Sequence, residues 1–207
     1  ETGSIDEVYI ATDDERIKDK AESFGARVIM TSREHTCGTE RIAEAIQSID
    51  GEIILNVQGD EPLIQPEALD AVTKPLLENS DIKMATLITP MKDESEYHDP
   101  NIVKAVKDRD NFAMYFSRSL IPYTREGNIT GVFKQIGVYV YRRDFLLTFA
   151  KMEPTPYEQA EKLEQLRALE NGYKIKLVET TYNPVSVDVP EDAARVESIL
   201  TRKREHA

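Results

Sequence analysis

The sequence lacks several features that mark secreted, membrane-spanning and nucleic-acid-binding proteins. Its only cysteine, Cys37, excludes an internal disulfide framework and fits a reducing compartment. No apolar run approaches the roughly 18 residues that a membrane-spanning helix needs. Acidic residues outnumber basic ones by 38 to 26, and the net charge of −12 argues against nonspecific binding of nucleic acid. These absences predict a cytoplasmic protein without a membrane or nucleic-acid partner.

The composition suits one folded domain. The 207 residues can bury a sizeable core, and 40% hydrophobic with 31% charged residues is an ordinary balance for a globular protein. No repeat, low-complexity tract or linker interrupts the chain, so we expect a single domain over residues 1–207. An acidic chain can still bind nucleotides, because a metal ion can bridge carboxylates and phosphates.

Short apolar runs alternate with helical patterns in the first half of the chain. The runs at residues 8–11, 28–30, 53–57 and 84–88 predict strands. The run at 53–57 is apolar nearly throughout, as expected for a central strand covered on both faces. Strands that alternate with helices predict a sheet with parallel strands and flanking helices.

The second half is less regular. Further strands are expected at residues 102–106, 112–116 and 136–141. No helical pattern separates the first two of these strands, which favours an antiparallel portion. The fold class predicted is therefore α/β, with a mixed but mostly parallel sheet flanked by helices.

Two helices are expected near the end of the chain. Thr155 and Glu158 have the spacing of a capping box, with Pro156 at the first helical position. The helix that they open is predicted to continue to residues 171–172. A last helix begins at Pro190.

Aspartates follow or precede several of these elements at positions where a ligand could bind. In open α/β sheets, ligands bind beyond the carboxyl ends of strands. Asp60 follows the most apolar strand and Asp188 precedes the last helix, and both could hold Mg²⁺ through carboxylate oxygens. For Asp13, Asp14 and Asp192 we favour turn and cap chemistry. The local pattern leaves both interpretations open for Asp60.

Small polar residues also stand where a strand passes into a helix, at residues 35–41. Free N–H groups at such a helix start can bind an anion or a base edge. They can equally form an N-cap beside an exposed His35. A nucleophilic role for Cys37 is not favoured, since no second histidine or nearby asparagine suggests a catalytic arrangement.

Three segments of the second half could belong either to a site or to the scaffold. Arg118 could clamp a carboxylate through its planar fork, although a surface salt bridge is the better local interpretation. Residues 135, 137, 139 and 141 alternate along a strand, so they share either a sugar-binding face or a solvated sheet surface. Glu164, Gln165 and Arg167 form either a solvated helix face or part of a site.

Taken in order, several segments identify a family. They include QGDEP at residues 58–62, FSR at 116–118 and LEQLR at 163–167, together with HTCGTER, KQIGVYVY and VDVPEDAARV. With them the chain resembles the CMP-Kdo synthetases, or 3-deoxy-manno-octulosonate cytidylyltransferases, nearly from end to end. The resemblance implies a nucleotide-diphospho-sugar transferase fold (GT-A-like and Rossmann-like), a homodimer and dependence on Mg²⁺. It also implies a reaction of lipopolysaccharide biosynthesis, in which the 2-hydroxyl of Kdo attacks the α-phosphate of CTP, giving CMP-Kdo and pyrophosphate.

The same resemblance implies roles for individual residues. Asp60 and Asp188 would hold the metal and, with Arg118, form the catalytic set. The sugar would contact Arg118, Gln135, Tyr139, Glu164 and Gln165. The nucleotide would lie near Thr36, Cys37, Gly38, Thr39, Gln58 and Asp60.

Departures from the family pattern keep alternatives open. The family normally begins with a strand, a basic glycine-containing loop and a helix, and we expect this unit to be missing from an N-terminally incomplete domain. Gln135 stands where many members have histidine, and Cys37 where serine is frequent. The alternatives are a related sugar acid as substrate, such as 8-amino-Kdo or sialic acid, and an inactive nucleotide-binding remnant. The FSR and LEQLR segments favour Kdo.

Overall fold

The computed structural model describes residues 2–35, 37–126, 131–187 and 189–205, and within them the chain forms eight strands and seven α-helices. The strands are β1 (Tyr9–Thr12), β2 (Arg27–Met30), β3 (Ile53–Val57), β4 (Met84–Pro90), β5 (Lys104–Lys107), β6 (Ala113–Ser117), β7 (Phe133–Arg142) and β8 (Ile175–Glu179). The helices are α1 (Glu15–Glu22), α2 (Gly38–Ala45), α3 (Pro66–Glu78), α4 (Arg143–Phe149), α5 (Pro156–Glu161), α6 (Gln165–Glu170) and α7 (Pro190–Glu205). None of these helices combines the length and apolar character needed to cross a membrane.

The strands form two sheets. β1 and β2 pair in parallel, while the larger sheet has the order β6-β5-β7-β4-β8, with β3 also paired to β7. The ten-residue β7 has room for three partners, because β3 pairs with its second half and β5 with its first residues, while β4 runs along the other side. A mixed sheet flanked by helices, as expected from the sequence, is confirmed.

The expectation of a mostly parallel sheet needs one correction. β7 is antiparallel to β3, β4 and β5, and β6 is antiparallel to β5. Of the strand pairs in the described residues, β1–β2 and β4–β8 are parallel. β3, β4, β5 and β8 do point the same way, but β7 lies between β4 on one side and β3 and β5 on the other. The alternating first half of the sequence could not reveal a strand inserted from the second half.

An irregularity in β7 shapes the sheet next to the candidate site. The register with β4 shifts after Thr86, which faces Tyr139, while the next residue of β4 faces Ile136. The Thr86 hydroxyl lies against the bulge, 2.8 Å from the carbonyl oxygen of Val138 and 3.3 Å from that of Ile136. A β-bulge bends its strand and changes the direction of the neighbouring side chains. The bulge in β7 lies between Ile136 and Tyr139 and includes Gly137.

The core lies on both faces of the sheet. Alternate residues of β4 and β7 belong to two apolar clusters, as expected for side chains that point to opposite faces. One cluster packs α3 against the sheet through Val72 and Leu76. The other packs α4 and α6 against Tyr141 and its neighbours. β3 is only partly covered, since Val57 is 37% exposed, so the expectation of burial on both of its faces is wrong at this end.

The helix predicted to run from Thr155 to residues 171–172 is broken in two. The capping box at Thr155 and Glu158 is confirmed. Lys162, however, takes a left-handed conformation with φ of 54°, which ends α5 before α6 begins. Carbonyl oxygens at a helix end lack intrahelical partners, and here Arg118 donates to those of Glu161 and Lys162. The helix at Pro190 is confirmed, whereas α4 and β8 were not expected.

Candidate active site

The α4 and α6 face of β7 carries a chain of hydrogen-bonded polar side chains. Gln135, Gly137 and Tyr139 share this face, as the alternation predicted, while Tyr141 is buried with the aromatic core. Nε2 of Gln135 donates to the Tyr139 hydroxyl at 2.8 Å. Burial raises the pKa of Tyr139, so its hydroxyl stays neutral. This face therefore presents neutral donors and acceptors.

The start of α6 completes this cluster. Nε2 of Gln165 donates to Oε1 of Gln135 at 2.6 Å, which joins the helix to the sheet. Gln165 and Arg167 are 3% and 5% exposed, so a solvated helix face is wrong for these two residues. Arg167 forms a buried ion pair with Glu158 and belongs to the scaffold. α6 begins after the break at Lys162, and its Gln165 reaches β7.

Glu164, next in sequence to Gln165, contacts the loop at the start of α2. One carboxylate oxygen accepts from the Cys37 thiol at 3.0 Å, and the other from the Thr39 hydroxyl at 2.8 Å. Burial, together with the bond to Glu164, raises the pKa of Cys37 to about 12. The thiol is thus neutral near physiological pH, in agreement with the prediction that it is not a nucleophile.

Gln58 lies over two glycines in the same region. A Cβ atom at Gly38 would be 3.5 Å from Nε2 of Gln58, and one at Gly137 would be 3.6 Å from its Cγ. Nε2 of Gln58 also donates to Oδ1 of the buried Asn56 at 3.2 Å. The Gln58 side chain therefore packs against the backbone of both glycines. Of the predicted nucleotide residues, Cys37, Gly38, Thr39 and Gln58 are therefore brought together, and Thr36 lies outside the described residues.

The loop after β3 meets the segment before α7. Asp60 is exposed, and its carbonyl oxygen accepts from the backbone N–H of Val187 at 2.9 Å. Val187 directly precedes Asp188, which lies outside the described residues. Within the part of the chain that is described, no group of three or more histidine, cysteine, aspartate and glutamate side chains is arranged to hold a metal ion.

Arg118 is held by backbone carbonyl oxygens. Its guanidinium donates to Glu161 at 2.7 Å, to Pro100 at 2.8 Å and to Lys162 at 3.3 Å. Three of its five N–H groups are therefore engaged, and a surface salt bridge is not what holds it. That Arg118 clamps a carboxylate stays a prediction, and it depends on the remaining two N–H groups of the guanidinium.

Sequence reasoning missed two residues that shape this region. The Glu161 carboxylate accepts from the Ser117 hydroxyl at 2.6 Å and from the Arg118 backbone N–H at 2.9 Å. Asn56 supports Gln58 from within β3. An asparagine in an apolar strand is a visible signal, but nothing near Glu161 in the sequence indicates a contact with β6.

Of the three aspartates assigned to caps and turns, Asp14 and Asp192 have such roles, whereas the Asp13 side chain forms an ion pair. Asp14 is the N-cap of α1 and accepts from the Arg16 backbone N–H at 2.8 Å. Asp13 pairs with Arg41 at 3.0 Å, and Asp192 accepts from the Val189 backbone N–H at 3.2 Å.

Comparison with known proteins defines the class. The sequence model of a family described as cytidylyltransferase matches residues 1–175. A solved structure of CMP:2-keto-3-deoxy-manno-octonic acid synthetase complexed with CTP superimposes with a TM-score of 0.93 at 33% identity, covering 98% of this chain and 84% of that one. A 4-diphosphocytidyl-2C-methyl-D-erythritol synthase from Anaerococcus prevotii, 16% identical with a TM-score of 0.59, shares the fold over 95% of this chain and 82% of its own. Fold and sequence together define a nucleotidyltransferase of the cytidylyltransferase class.

Curated relatives identify the family within the cytidylyltransferase class. The 3-deoxy-manno-octulosonate cytidylyltransferase of Syntrophotalea carbinolica is 52% identical over 95% of this chain and 82% of its own length. That of Geobacter metallireducens is 49% identical over 97% of this chain and 83% of its own length. The chain belongs to the family of 3-deoxy-manno-octulosonate cytidylyltransferases.

Proposed function

We propose that this protein transfers CMP from CTP to 3-deoxy-manno-octulosonate (Kdo), releasing pyrophosphate. The observation that carries the proposal is the meeting of two groups of side chains at Glu164. On one side are Cys37 and Thr39 at the start of α2, and on the other the Gln165–Gln135 pair. The proposal places CTP on the first group and the sugar on the second. Family membership and 52% identity to a curated relative support the choice of substrates.

The chemistry of the second group suits a polyhydroxylated acid. Gln135 and Gln165 each offer an amide donor and acceptor, and the Tyr139 hydroxyl can do both. In this proposal they orient the sugar hydroxyls, so that the 2-hydroxyl faces the α-phosphate of CTP. Arg118 would bind the sugar carboxylate through its two remaining N–H groups. Holding both substrates in line converts a bimolecular step into a nearly unimolecular one.

The first group suits a nucleotide. Gln58 packs against Gly38 and Gly137, and its amide can pair with a base edge. The N–H groups at the start of α2 can bind an anionic or polar group of the ligand. The hydroxyl of Thr39 is already engaged with Glu164, so a nucleotide bound there would rest on a fixed surface.

The donor set after β3 fits a magnesium ion. Mg²⁺ prefers oxygen ligands and often takes one or two carboxylates from protein, the rest from phosphate and water. Asp60 is exposed, and its backbone is bonded to Val187, next in sequence to Asp188. We propose that Asp60 and Asp188 hold Mg²⁺, which when bound neutralises charge on the triphosphate and favours ionisation of the sugar hydroxyl. The homodimer and the cytoplasmic location stay predictions.

A substrate panel tests the proposed function. Pyrophosphate release should be measured with CTP or UTP, each combined with Kdo or sialic acid. Release with CTP and Kdo, and at least about tenfold less with each other pair, is expected. Faster pyrophosphate release with sialic acid would show that the substrate is a different sugar acid. Absence of release with all four pairs would contradict the proposal.

A further inference from the structure

Two buried polar side chains join the loop after β3 to the segment after β8. Glu61 is 7% exposed and Tyr182 is 5% exposed. The Tyr182 hydroxyl donates to Oε2 of Glu61 at 3.1 Å, across 121 positions of the sequence. A buried carboxylate is stable only when hydrogen bonds or charges compensate its lost hydration, so this contact is a constraint on both segments.

Each partner is anchored to the sheet on its own side. The backbone N–H of Tyr182 donates to the Thr180 hydroxyl at 3.1 Å, and Thr180 donates from its backbone to the carbonyl oxygen of Ile88 in β4 at 2.9 Å. The Tyr182 ring packs in the apolar cluster beneath α3. On the other side, the backbone N–H of Glu61 donates to the carbonyl oxygen of Gln58 at 3.2 Å. The contact between Glu61 and Tyr182 therefore joins two fixed segments.

The same two segments meet again one residue away. The carbonyl oxygen of Asp60 accepts from Val187 at 2.9 Å, while the Asp60 side chain faces solvent. We infer that Glu61 and Tyr182 are positioning residues for Asp60, which fasten its backbone so that the carboxylate is presented to the metal in one orientation. The inference rests on the proposed function, in which Asp60 is a metal ligand.

The chemistry of the pair suits a fixed support. Burial raises the pKa of Tyr182, so the phenol keeps its proton and remains a donor at neutral pH. Groups that orient a metal ligand typically change metal affinity by about 10-fold to 100-fold when they are removed. Tyr182→Phe removes the hydroxyl alone and leaves the ring in place. Glu61→Gln keeps an oxygen that can accept from Tyr182.

Binding of Mn²⁺, a paramagnetic substitute for Mg²⁺, tests the inference without turnover. The dissociation constant should be measured by electron paramagnetic resonance, with CTP present and no sugar. We expect Tyr182→Phe to raise it about tenfold. Because its amide oxygen still accepts the hydrogen bond, Glu61→Gln should stay within about threefold of the original protein. The matched control is Tyr97→Phe, a tyrosine that is 7% exposed in a different apolar cluster with Met91 and Val132, and it should change the constant by less than about twofold.

Melting temperatures of all variants separate positioning from general loss of structure. The inference is overturned if Tyr182→Phe binds Mn²⁺ as the original protein does, or if Tyr97→Phe weakens binding as much. A loss of Mn²⁺ affinity in Glu61→Gln as large as that in Tyr182→Phe would also overturn the inference. Such a result would show that the charge of Glu61, and not its hydrogen bond with Tyr182, controls metal binding. If the original protein binds Mn²⁺ but does not turn over CTP and Kdo, the proposed function is contradicted. The Mn²⁺ dissociation constants of the variants would still decide whether Glu61 and Tyr182 position Asp60.

Discussion

The Thr39 hydroxyl donates a hydrogen bond of 2.8 Å to Oε2 of Glu164, which lies 125 positions later in the chain. The other oxygen of the same carboxylate accepts from Cys37. Glu164 immediately precedes Gln165, which reaches Gln135 on β7. Glu164 thus connects the start of α2 with the polar face of the sheet.

Arg118→Lys should lower stability and weaken binding of the sugar. Lysine cannot reproduce three donors in one plane, and the loss of a hydrogen bond from a charged group costs about 2 kcal/mol in unfolding free energy. We expect the KM for Kdo to rise more than the KM for CTP, with Arg109→Lys, an exposed arginine in the turn after β5, as the control. Equal rises for both substrates would show that Arg118 is structural, or lies on the nucleotide.

Gln135→His should be tolerated but should make activity depend on pH. A neutral imidazole has one donor and one acceptor, so it can replace the contacts with Tyr139 and Gln165. Protonation near a pKa of roughly 6.5 removes the acceptor, so kcat/KM for Kdo should fall as the pH drops below that value. The original protein should show no such step, because glutamine does not titrate. A flat profile in the histidine variant would argue against contact between residue 135 and the sugar.

The break between α5 and α6 shows why part of the site was not predictable. Local patterns indicated the capping box at Thr155 and the shared face of Gln135 and Tyr139, since both depend on spacing of two to four residues. At the left-handed turn of Lys162, the carbonyl oxygens of Glu161 and Lys162 accept from Arg118, 44 positions from Lys162. No periodicity along the chain carries that information, and a continuous helix was the natural expectation.

Long-range contacts account for the other differences. The motifs at residues 35–41, 58–62 and 163–167 were visible, but their convergence on Glu164 and Gln58 required the folded chain. β7 was expected as a strand, whereas its position between β4 and β5 was not. Strand order and strand direction depend on which edges meet in three dimensions, so the mixed class was predictable and the pairing was not.

Cys37 should react slowly with alkylating reagents. Burial and the bond to Glu164 raise the pKa of its thiol to about 12, and only the thiolate is nucleophilic. At pH 8 the folded protein should be modified by iodoacetamide at least about a hundredfold more slowly than the same chain in urea. Cys37→Ser should keep a donor to Glu164 and retain activity. Equal alkylation rates in the folded and unfolded chains would contradict this account.

Glu158→Gln should remove stability that depends on pH. Burial would raise the pKa of Glu158, but the hydrogen bonds from Arg167 and the Thr155 backbone outweigh it, so the folded pKa lies below the ordinary value. The stabilisation is therefore complete above the unfolded pKa of about 4.3 and is lost as the pH falls through the folded pKa. At pH 7 the variant should lose about 3 kcal/mol of unfolding free energy, because the buried Arg167 loses its nearest charge partner and keeps only the more distant Glu164 carboxylate, at 3.8 Å.

The control for this ion pair is an exposed one. Glu78→Gln disrupts an exposed pair with Lys74 on α3 and should change stability by less than about 0.5 kcal/mol. Denaturant unfolding at pH 7 and pH 4 measures both variants. The difference between Glu158→Gln and the original protein should shrink at the lower pH, and a difference that stays constant would show that the charge of Glu158 is not the cause.

The central claim is that Asp60 serves a metal-dependent cytidylyl transfer, and one pair of variants tests it most directly. Asp60 follows β3 and Asp50 precedes it, and both are exposed, so Asp60→Asn and Asp50→Asn should leave the melting temperature nearly unchanged. With CTP, Kdo and Mg²⁺, formation of CMP-Kdo should be abolished in Asp60→Asn and normal in Asp50→Asn. Normal Mg²⁺-dependent formation of CMP-Kdo by Asp60→Asn would contradict the account.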